Sequence, residues 1–372
     1  MESYYYQMLG NDSDFSHNDT ECPIWEWEPS YVLIPCIYLL VFALGLTGNG
    51  TVLWASWHSR GKRKSADAFI AHLALADLTF VLTLPLWSVY TALGYHWLFG
   101  IFLCKLSSYV VLLNMYSSVF CLTCLSVDRY QAIVRSAPGS AGPGRGPRKR
   151  GLWLAAVWAV AGVLALPALV FRRAIEVPGE EEEVGGPGGQ MVCDMDLSPL
   201  GQDEEVQDVW LAAFGLSSTA VGFVLPFAIM ASCYGLIGGT LSSHFQRRER
   251  DRRRRLLSVI LTLVLAFGLC WLPFHLVKTL ATLDGLGLLR LPCPLHALAY
   301  ISHPYTTCLA YVNSCLNPLL YAWLDPDFRQ RCRRALSCRH PPGGRGGGAP
   351  SPEPSATPSS SNTRCEAQSF KA

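Results

Sequence analysis

The chain has 372 residues, of which 50% are hydrophobic and 16% are charged. A soluble protein of this length usually carries about 25% charged residues, so the composition excludes a string of ordinary soluble domains and favours a membrane protein. The net charge of +2 says little by itself, because acids and bases are sorted into different segments of the chain.

The first segment, residues 1–30, is an acidic and aromatic-rich tail with seven acids and no Lys or Arg. Asn11-Asp12-Ser13 and Asn18-Asp19-Thr20 are acceptor sequons for N-glycosylation, so we predict that this tail is extracellular. Because the tail lacks a basic region followed by an apolar core, we expect no cleavable signal peptide. The first apolar run would then act as an uncleaved insertion signal.

Seven apolar runs follow, and each is long enough to cross about 30 Å of hydrocarbon as a helix. The predicted spans 1 to 7 cover residues 31–57, 66–93, 106–127, 151–171, 209–244, 256–283 and 293–323. Clusters of Lys and Arg follow spans 1, 3, 5 and 7, whereas acids precede span 1 and follow span 4. The positive-inside rule therefore predicts an extracellular N-terminus and a cytoplasmic C-terminus.

Span 3 organises the predicted bundle. Its uncharged run from Leu106 to Val127 includes Ser107, Ser108, Asn114, Ser117, Ser118 and Thr123. That polarity does not suit a helix surrounded by lipid, so we expect a central position where neighbouring helices satisfy the polar groups. An acid and an arginine, Asp128 and Arg129, follow the run at its inner end.

The predicted fold is an all-α bundle of seven transmembrane helices. We divide the chain into the tail at 1–30, the bundle at 31–324, a short amphipathic helix on the inner leaflet at 325–338 and a disordered cytoplasmic tail at 339–372. Most of the 14 cysteines lie within apolar runs, where buried cysteine behaves as a small hydrophobe. We therefore assign packing to Cys121 and Cys124, although their CxxC spacing is also typical of redox and metal motifs.

Short motifs in nearly every span resemble those of the rhodopsin-like (class A) G-protein-coupled receptors. In chain order they are Gly48-Asn49, Leu73-Ala74-Leu75-Ala76-Asp77, Asp128-Arg129-Tyr130, Trp158, Pro226, Phe267 with Cys270-Trp271-Leu272-Pro273, and Asn317-Pro318-Leu319-Leu320-Tyr321. One such motif is weak, but this many in the family's order are very specific. The resemblance implies a receptor that is not an enzyme and that activates a heterotrimeric G protein.

Within the family, the segments 76–87, 104–109, 274–279 and 311–318 are similar to one branch of peptide receptors. The ligands of that branch are short, arginine-rich peptides, and acids in the tail and the long outer loop would attract them. A solvated acidic surface is an equal alternative for Glu180–Glu183. The implied ligand-binding residues are Glu26, Tyr38, Trp87, Tyr90, Arg172, Phe274, Lys278 and Tyr311. Of these, Arg172 and Lys278 suit the C-terminal carboxylate or the carbonyl groups of a peptide.

A carboxylate in the middle of a span costs about 2.5–3.5 kcal/mol on insertion scales, so Asp77 requires polar partners. In the family the equivalent cluster holds a sodium ion and collapses on activation; the alternative is a purely structural hydrogen-bond network. The polar residues at matching depths are Asn49, Asn114, Ser118, Asn313 and Asn317. The implied sodium or polar cluster comprises Asn49, Asp77, Asn114, Ser118 and Asn313. No other metal or cofactor is expected.

The resemblance also implies an activation switch at the inner side. Arg129 would pair with Asp128 at rest and contact the G protein after activation. Arg253 stands where many members carry an acid in span 6, so we expect no cross-helix ion pair and an easily activated receptor. The other implied switch residues, with Val119 beside them, are Tyr130, Pro226, Tyr234, Phe267, Trp271, Asn317, Pro318 and Tyr321.

Four outer cysteines, an even number in an oxidising compartment, support two disulfides, which we predict as Cys104–Cys193 and Cys22–Cys293. Inside, Cys332 and Cys338 flank the amphipathic helix and are expected palmitoylation sites. The expected partners are a basic peptide, an inhibitory-class G protein, receptor kinases and arrestin at the Ser/Thr-rich tail, and membrane lipids, with no nucleic acid.

The chain departs from the branch at five positions. Gly94, His96, Pro294 and His296 stand where acids are expected, and Phe274 replaces a tyrosine. These departures leave open a receptor for another peptide of angiotensin or chemokine type, or a non-signalling scavenger receptor, although the intact Asp-Arg-Tyr and Asn-Pro-x-x-Tyr motifs argue against the scavenger. The sequence offers no phosphate loop, HExxH or GxSxG for an enzyme and no paired broken spans for a transporter.

Overall fold

The computed structural model describes residues 30–58, 65–134, 147–177, 189–243, 247–324, 328–330 and 332. Span 1 is the helix Ser30–Trp57, span 2 is Ser65–Val81 and Leu84–Ala92, span 3 is Gly100–Val134, and span 4 is Pro147–Phe171. Span 5 consists of Glu204–Thr219, a π-helical turn at Ala220–Val224, and Leu225–Ser243. Span 6 is Arg247–Gly285 and span 7 is Cys293–Leu324.

Six of these spans are long and apolar enough to cross a membrane. Span 7 is also long, with 32 residues, but several polar side chains on its buried face make it less apolar than the other six spans. Asn313, Ser314 and Asn317 are all buried there, which places them inside the protein instead of against lipid. The predicted seven-helix bundle is confirmed.

Prolines interrupt two of the spans. Span 2 breaks at Leu82 and Thr83, two residues before Pro85, because a proline has no N–H to continue the helical hydrogen bonds. The π-helical turn of span 5 ends two residues before Pro226. Such turns insert one extra residue into a helix and occur frequently at functional sites, so the two halves of span 5 are offset at this point.

Span 3 lies at the centre of the bundle, and about two thirds of the residues in its most apolar 18-residue stretch are buried. It contacts spans 2, 4 and 5 and the outer hairpin. Its side chains Ser107, Ser117 and Asn114 are each at most 4% exposed, as the prediction of a central helix requires.

The long outer loop contains a β-hairpin that the sequence analysis did not predict. Strand β1 (Arg172–Val177) pairs antiparallel with strand β2 (Gln190–Met195), and Ala174 faces Cys193. A disulfide joins Cys193 to Cys104 in span 3, with the two Cα atoms 5.7 Å apart. The first predicted disulfide is therefore confirmed, and it fixes the hairpin over the outer end of the bundle.

Several predictions fall outside the described residues. They concern the tail with Asn11, Asn18, Cys22 and Glu26, and the segment after span 7 with Cys338. Cys293 is disulfide-bonded, but its pairing with Cys22 stays a prediction. Of the expected amphipathic helix, residues 328–330 and 332 are described and helical, and the ring of Phe328 lies 6.1 Å from that of Tyr321.

Spans 1 and 7 approach each other closely at Gly48, where a Cβ atom would lie 2.9 Å from Cβ of Pro318. We expect Gly48→Ala to lower the free energy of unfolding by about 1–3 kcal/mol, because the rigid proline ring cannot rotate away. Thermal unfolding of the detergent-purified protein measures this loss. The control is Gly50→Ala, where the same atom would meet nothing within 4 Å; equal effects of the two changes would contradict the close approach.

Candidate functional site

The buried carboxylate of Asp77 lies at the junction of spans 2, 3 and 7. Its Oδ1 accepts hydrogen bonds from Asn114 Nδ2 at 3.0 Å and Ser118 Oγ at 3.4 Å, and its Oδ2 accepts from Asn317 Nδ2 at 2.9 Å. Asp77 is 0% exposed, so these donors replace the water that the carboxylate has lost. The structure therefore brings Asp77 together with Asn114, Ser118 and Asn317, three of the polar residues that the sequence places at its depth.

The remaining predicted members of this cluster have different positions. Asn49 donates to the backbone carbonyls of Gly45 (3.0 Å) and Ser314 (2.8 Å), so it ties span 1 to span 7 beside the carboxylate. Asn313 is buried, but its side-chain oxygen has no hydrogen-bond partner among the described residues. Ser314, which the sequence analysis missed, places its Oγ 3.5 Å from Asn114 Oδ1; its position one turn before Pro318 was the available signal.

The donor chemistry of this cluster fits a small hard cation. Sodium, like other hard cations, prefers oxygen ligands, and Asp77 supplies a carboxylate beside the hydroxyls of Ser118 and Ser314. The side-chain oxygens of Asn49 and Asn317 are buried without a hydrogen-bond partner. In the described part of the chain no group of three His, Cys, Asp or Glu suits a transition metal.

At the inner end of span 3, Arg129 Nη2 lies 2.5 Å from Asp128 Oδ2. The two side chains are 15% and 10% exposed, so the pair is largely shielded from water. Tyr130 and Tyr234 pack beside it against the buried residues Ile133, Ile237 and Leu257. The side chain of Arg253 lies outside the described part, so the expected lack of an ion pair to span 6 stays a prediction.

An aromatic column connects the middle of span 6 to span 5. The ring of Trp271 lies 6.0 Å from Phe267 and 5.9 Å from Phe274, and Phe267 lies 6.1 Å from Phe223 beside the π-helical turn. Pro226 is buried, and Val119 of span 3 belongs to the same hydrophobic cluster. Three of the predicted transmission residues, Val119, Phe267 and Trp271, therefore belong to one hydrophobic cluster.

Above this column is a cavity of about 290 Å³, which is lined by residues of all seven spans and of the outer hairpin. This volume is close to the lower end of the roughly 300–1,000 Å³ typical of ligand sites. Five of the predicted ligand-binding residues line it: Tyr38, Trp87, Arg172, Lys278 and Tyr311. Tyr90 packs behind Trp87 at 5.8 Å, Phe274 lies in the aromatic column, and Glu26 falls outside the described residues.

The two cations of the cavity have different environments. Arg172 Nη1 donates to the carbonyl of Cys193 at 2.8 Å and lies 3.9 Å from Asp194 Oδ1. Lys278 Nζ donates to Ser218 Oγ at 2.6 Å and lies 5.3 Å from the centroid of the Phe274 ring. Arg172 is thus held by the hairpin, whereas no described carboxylate neutralises Lys278.

The outer positions that depart from the expected acids make structural contacts. The carbonyl of Gly94, where φ is +63°, accepts from Gln190 Nε2 at 2.6 Å. His96 Nδ1 accepts from the backbone N–H of Met191 at 3.3 Å, and His296 Nε2 lies 3.8 Å from Asp284 Oδ2. Gly94 and His96 therefore join the loop after span 2 to strand β2.

Asn114 donates both to the carboxylate of Asp77 and, at 3.2 Å, to Ser118. We expect Asn114→Ala to lower the free energy of unfolding by about 1–3 kcal/mol, because it leaves a buried carboxylate short of a donor. Thermal unfolding again provides the measurement. Ser117→Ala is the matched control, since this buried hydroxyl bonds only to carbonyls of its own helix; a similar loss in both variants would contradict a stabilising role for the cluster.

The comparisons with known proteins agree with this geometry. The model of the 7 transmembrane receptor (rhodopsin family) matches residues 48–321. The apelin receptor B of Danio rerio is 51% identical over 328 residues, which cover 88% of this chain and 89% of that protein. The apelin receptor of Xenopus tropicalis is 46% identical over 332 residues, covering 89% of this chain and 86% of that protein.

A second group of relatives is more distant. The type-1 angiotensin II receptor of Bos taurus is 35% identical over 306 residues, which cover 81% of this chain and 79% of that protein. The branch of peptide receptors that the sequence motifs resemble is that of the apelin receptors, and the higher identity to them confirms this resemblance. The chain belongs to the rhodopsin family of seven-transmembrane receptors.

Proposed function

We propose that this chain is a plasma-membrane receptor for apelin-family peptides, namely apelin and the related developmental peptide Elabela (Toddler). It lowers cAMP by activating an inhibitory-class G protein. The observation that carries the proposal is the identity of 46–51% to apelin receptors across the bundle. Such a receptor requires a ligand site at one end of the bundle and a G-protein site at the other. The cavity would serve as the first, and the Asp128-Arg129 pair would serve as part of the second.

The orientation in the membrane follows from chemistry at the two ends of the bundle. The hairpin and the Cys104–Cys193 disulfide lie at one end, and disulfides form in oxidising, extracytoplasmic compartments. The basic residues after span 5, which the positive-inside rule assigns to the cytoplasm, belong to the opposite end. The N-terminal tail is then extracellular, and the C-terminal tail is cytoplasmic.

The ligand enters at the hairpin end, and its terminal carboxylate binds Lys278. This lysine suits the role because it is only 4% exposed and its ammonium donates a hydrogen bond to a single described hydroxyl. Charge-assisted hydrogen bonds between ammonium and carboxylate are roughly twice as strong as neutral ones. Arg172 already donates to the carbonyl of Cys193 and lies near Asp194. Its contribution to ligand binding is therefore mainly its positive charge and the wall it forms in the cavity.

The acids that attract a basic peptide lie chiefly beyond the described residues, in the tail and at Glu180–Glu183. Two acids of the described loop are already engaged: Asp194 lies near Arg172, and Asp196 Oδ2 is 3.1 Å from Arg173 Nη1. They therefore add less to long-range attraction than their number in the sequence suggests. Steering by the remaining acids would raise the association rate and weaken with salt.

Activation proceeds through the contacts described above. A carboxylate that binds Lys278 also acts on Phe274, whose ring lies beneath the ammonium and touches Trp271. Movement of this column turns span 6 outward, and Arg129 then leaves Asp128 for the G protein, with Tyr234 and Tyr321 beside it. When bound at Asp77, a sodium ion would supply positive charge that favours the resting arrangement of spans 2, 3 and 7.

Regulation completes the proposal. Receptor kinases phosphorylate the Ser/Thr-rich tail, arrestin binds it, and the receptor is internalised. Palmitoyl chains on Cys332 and Cys338 would anchor the segment after span 7 to the inner leaflet. Partly buried Cys332 packs against the hydrophobic cluster that contains Phe267 and Trp271 as well as Tyr321 and Phe328, so it already lies next to the apolar bundle.

The first test is cAMP suppression in cells that express the chain, with apelin and Elabela applied separately. We expect suppression at nanomolar peptide, which pertussis toxin and Arg129→Ala abolish. Arg173→Ala, at an arginine that is 50% exposed and lies outside the cavity lining, is the control and should retain the response. Inactivity of both peptides at a surface-expressed receptor would refute the ligand assignment, and angiotensin-type and chemokine-type peptides would be tested next.

The second test pairs Lys278→Met with a peptide whose C-terminus is amidated. If the carboxylate binds Lys278, the variant should lose about tenfold or more in affinity for the free-acid peptide. The variant should lose little affinity for the amidated peptide, because that peptide lacks the negative charge that would bind Lys278. Radioligand competition on membranes measures both affinities, and equal losses for the two peptides would contradict the assignment.

A further inference from the structure

One wall of the cavity lies between spans 4 and 5 and faces the lipid side of the bundle. Val163 and Pro167 line it from span 4, and Ser217 and Val221 line it from span 5. Val163 is 64% exposed on the surface of the helix bundle, and Ser217 is exposed as well. These residues therefore border the cavity and the hydrocarbon at the same time.

The arrangement of the helices explains this opening. Span 4 packs chiefly against span 3, whereas the outer helix of span 5, Glu204–Thr219, packs against span 6. At their outer ends spans 4 and 5 meet through Phe171 and Phe214, whose rings are 5.9 Å apart. Val163 and Ser217 lie deeper than this aromatic contact, so the gap opens toward acyl chains below a closed rim.

The polar end of the cavity is the ammonium of Lys278. Its single described hydrogen bond goes to Ser218, the residue next to Ser217 at the opening. A lysine ammonium has three donors, and a buried charge is costly until it is paired. Within the described residues the site thus offers a cation with spare donors at one end and an apolar passage to the bilayer at the other.

We propose that this cavity binds a long-chain carboxylate amphiphile, such as a fatty acid, that enters from the bilayer between spans 4 and 5. Its carboxylate binds Lys278, and its acyl chain lies against Val163, Pro167 and Val221. The inference goes beyond the peptide receptor function and does not depend on it. Since both ligands present a carboxylate to the same ammonium, the amphiphile competes with a peptide that reaches the cavity from outside.

The test uses the purified full chain in nanodiscs of phosphatidylcholine, without any peptide. The probe is a fatty acid with a photoreactive diazirine in mid-chain and an alkyne tag, and labelled positions are mapped by mass spectrometry. We expect labelling concentrated in residues 160–171 and 214–224. Oleate should compete about tenfold or more better than oleyl alcohol, which has the same chain without the charge.

Three variants sharpen the result. Lys278→Met should remove the preference for oleate over oleyl alcohol, and Val163→Trp should close the opening and abolish the concentrated labelling. Val160→Trp is the matched control, because Val160 is 50% exposed on the same helix but does not line the cavity. Thermal unfolding verifies that each variant is folded. If Lys278→Met is unfolded, the difference in labelling between Val163→Trp and Val160→Trp tests the proposal.

The proposal is overturned by any of three outcomes: labelling spread evenly over the lipid-facing surface, equal competition by oleate and oleyl alcohol, or unchanged labelling in Val163→Trp. The readout is binding in the absence of peptide. A failure of the apelin assignment would therefore leave this result unaffected, and a failure here would leave the peptide assays unaffected.

Discussion

The structure depends on one constraint: a carboxylate in the middle of a membrane must be surrounded by donors from the protein. Asp77 meets it with Asn114, Ser118 and Asn317, so spans 2, 3 and 7 converge on a single group. An unmade hydrogen bond to a buried charge is more costly than one at a surface. The central position of span 3 and the polar face of span 7 follow from this requirement.

The two working ends of the molecule lie on either side of that junction. Outside, the hairpin is fixed to span 3 by the Cys104–Cys193 disulfide and roofs a cavity with Lys278 at one side. Inside, Arg129 is held by Asp128 at the end of the same span. Between them, the rings of Phe274, Trp271 and Phe267 are in contact along span 6 below Lys278. In the proposed function, a ligand carboxylate at Lys278 would act on span 6 through these rings.

The sequence was sufficient for the spans because their apolar length and charge sorting are imposed by the bilayer. It was sufficient for Asp77, Asn114 and Ser118 because polar groups in apolar runs need one another. It missed the β-hairpin, whose short strands depend on the disulfide and on His96 and Gly94 of a distant loop. It also missed Ser314 and the gap between spans 4 and 5. Both depend on how separate helices pack together, and no motif within one helix indicates this.

Because Asn317 donates to the carboxylate of Asp77, the two residues should act as one unit across spans 2 and 7, and an exchange of the two is the most direct test. The measurement is thermal unfolding of Asp77→Asn, Asn317→Asp and the double variant. We expect each single variant to be destabilised, and the double variant, which restores an amide facing a carboxylate, to be more stable than either. Additive losses in the double variant would show that the two residues act independently.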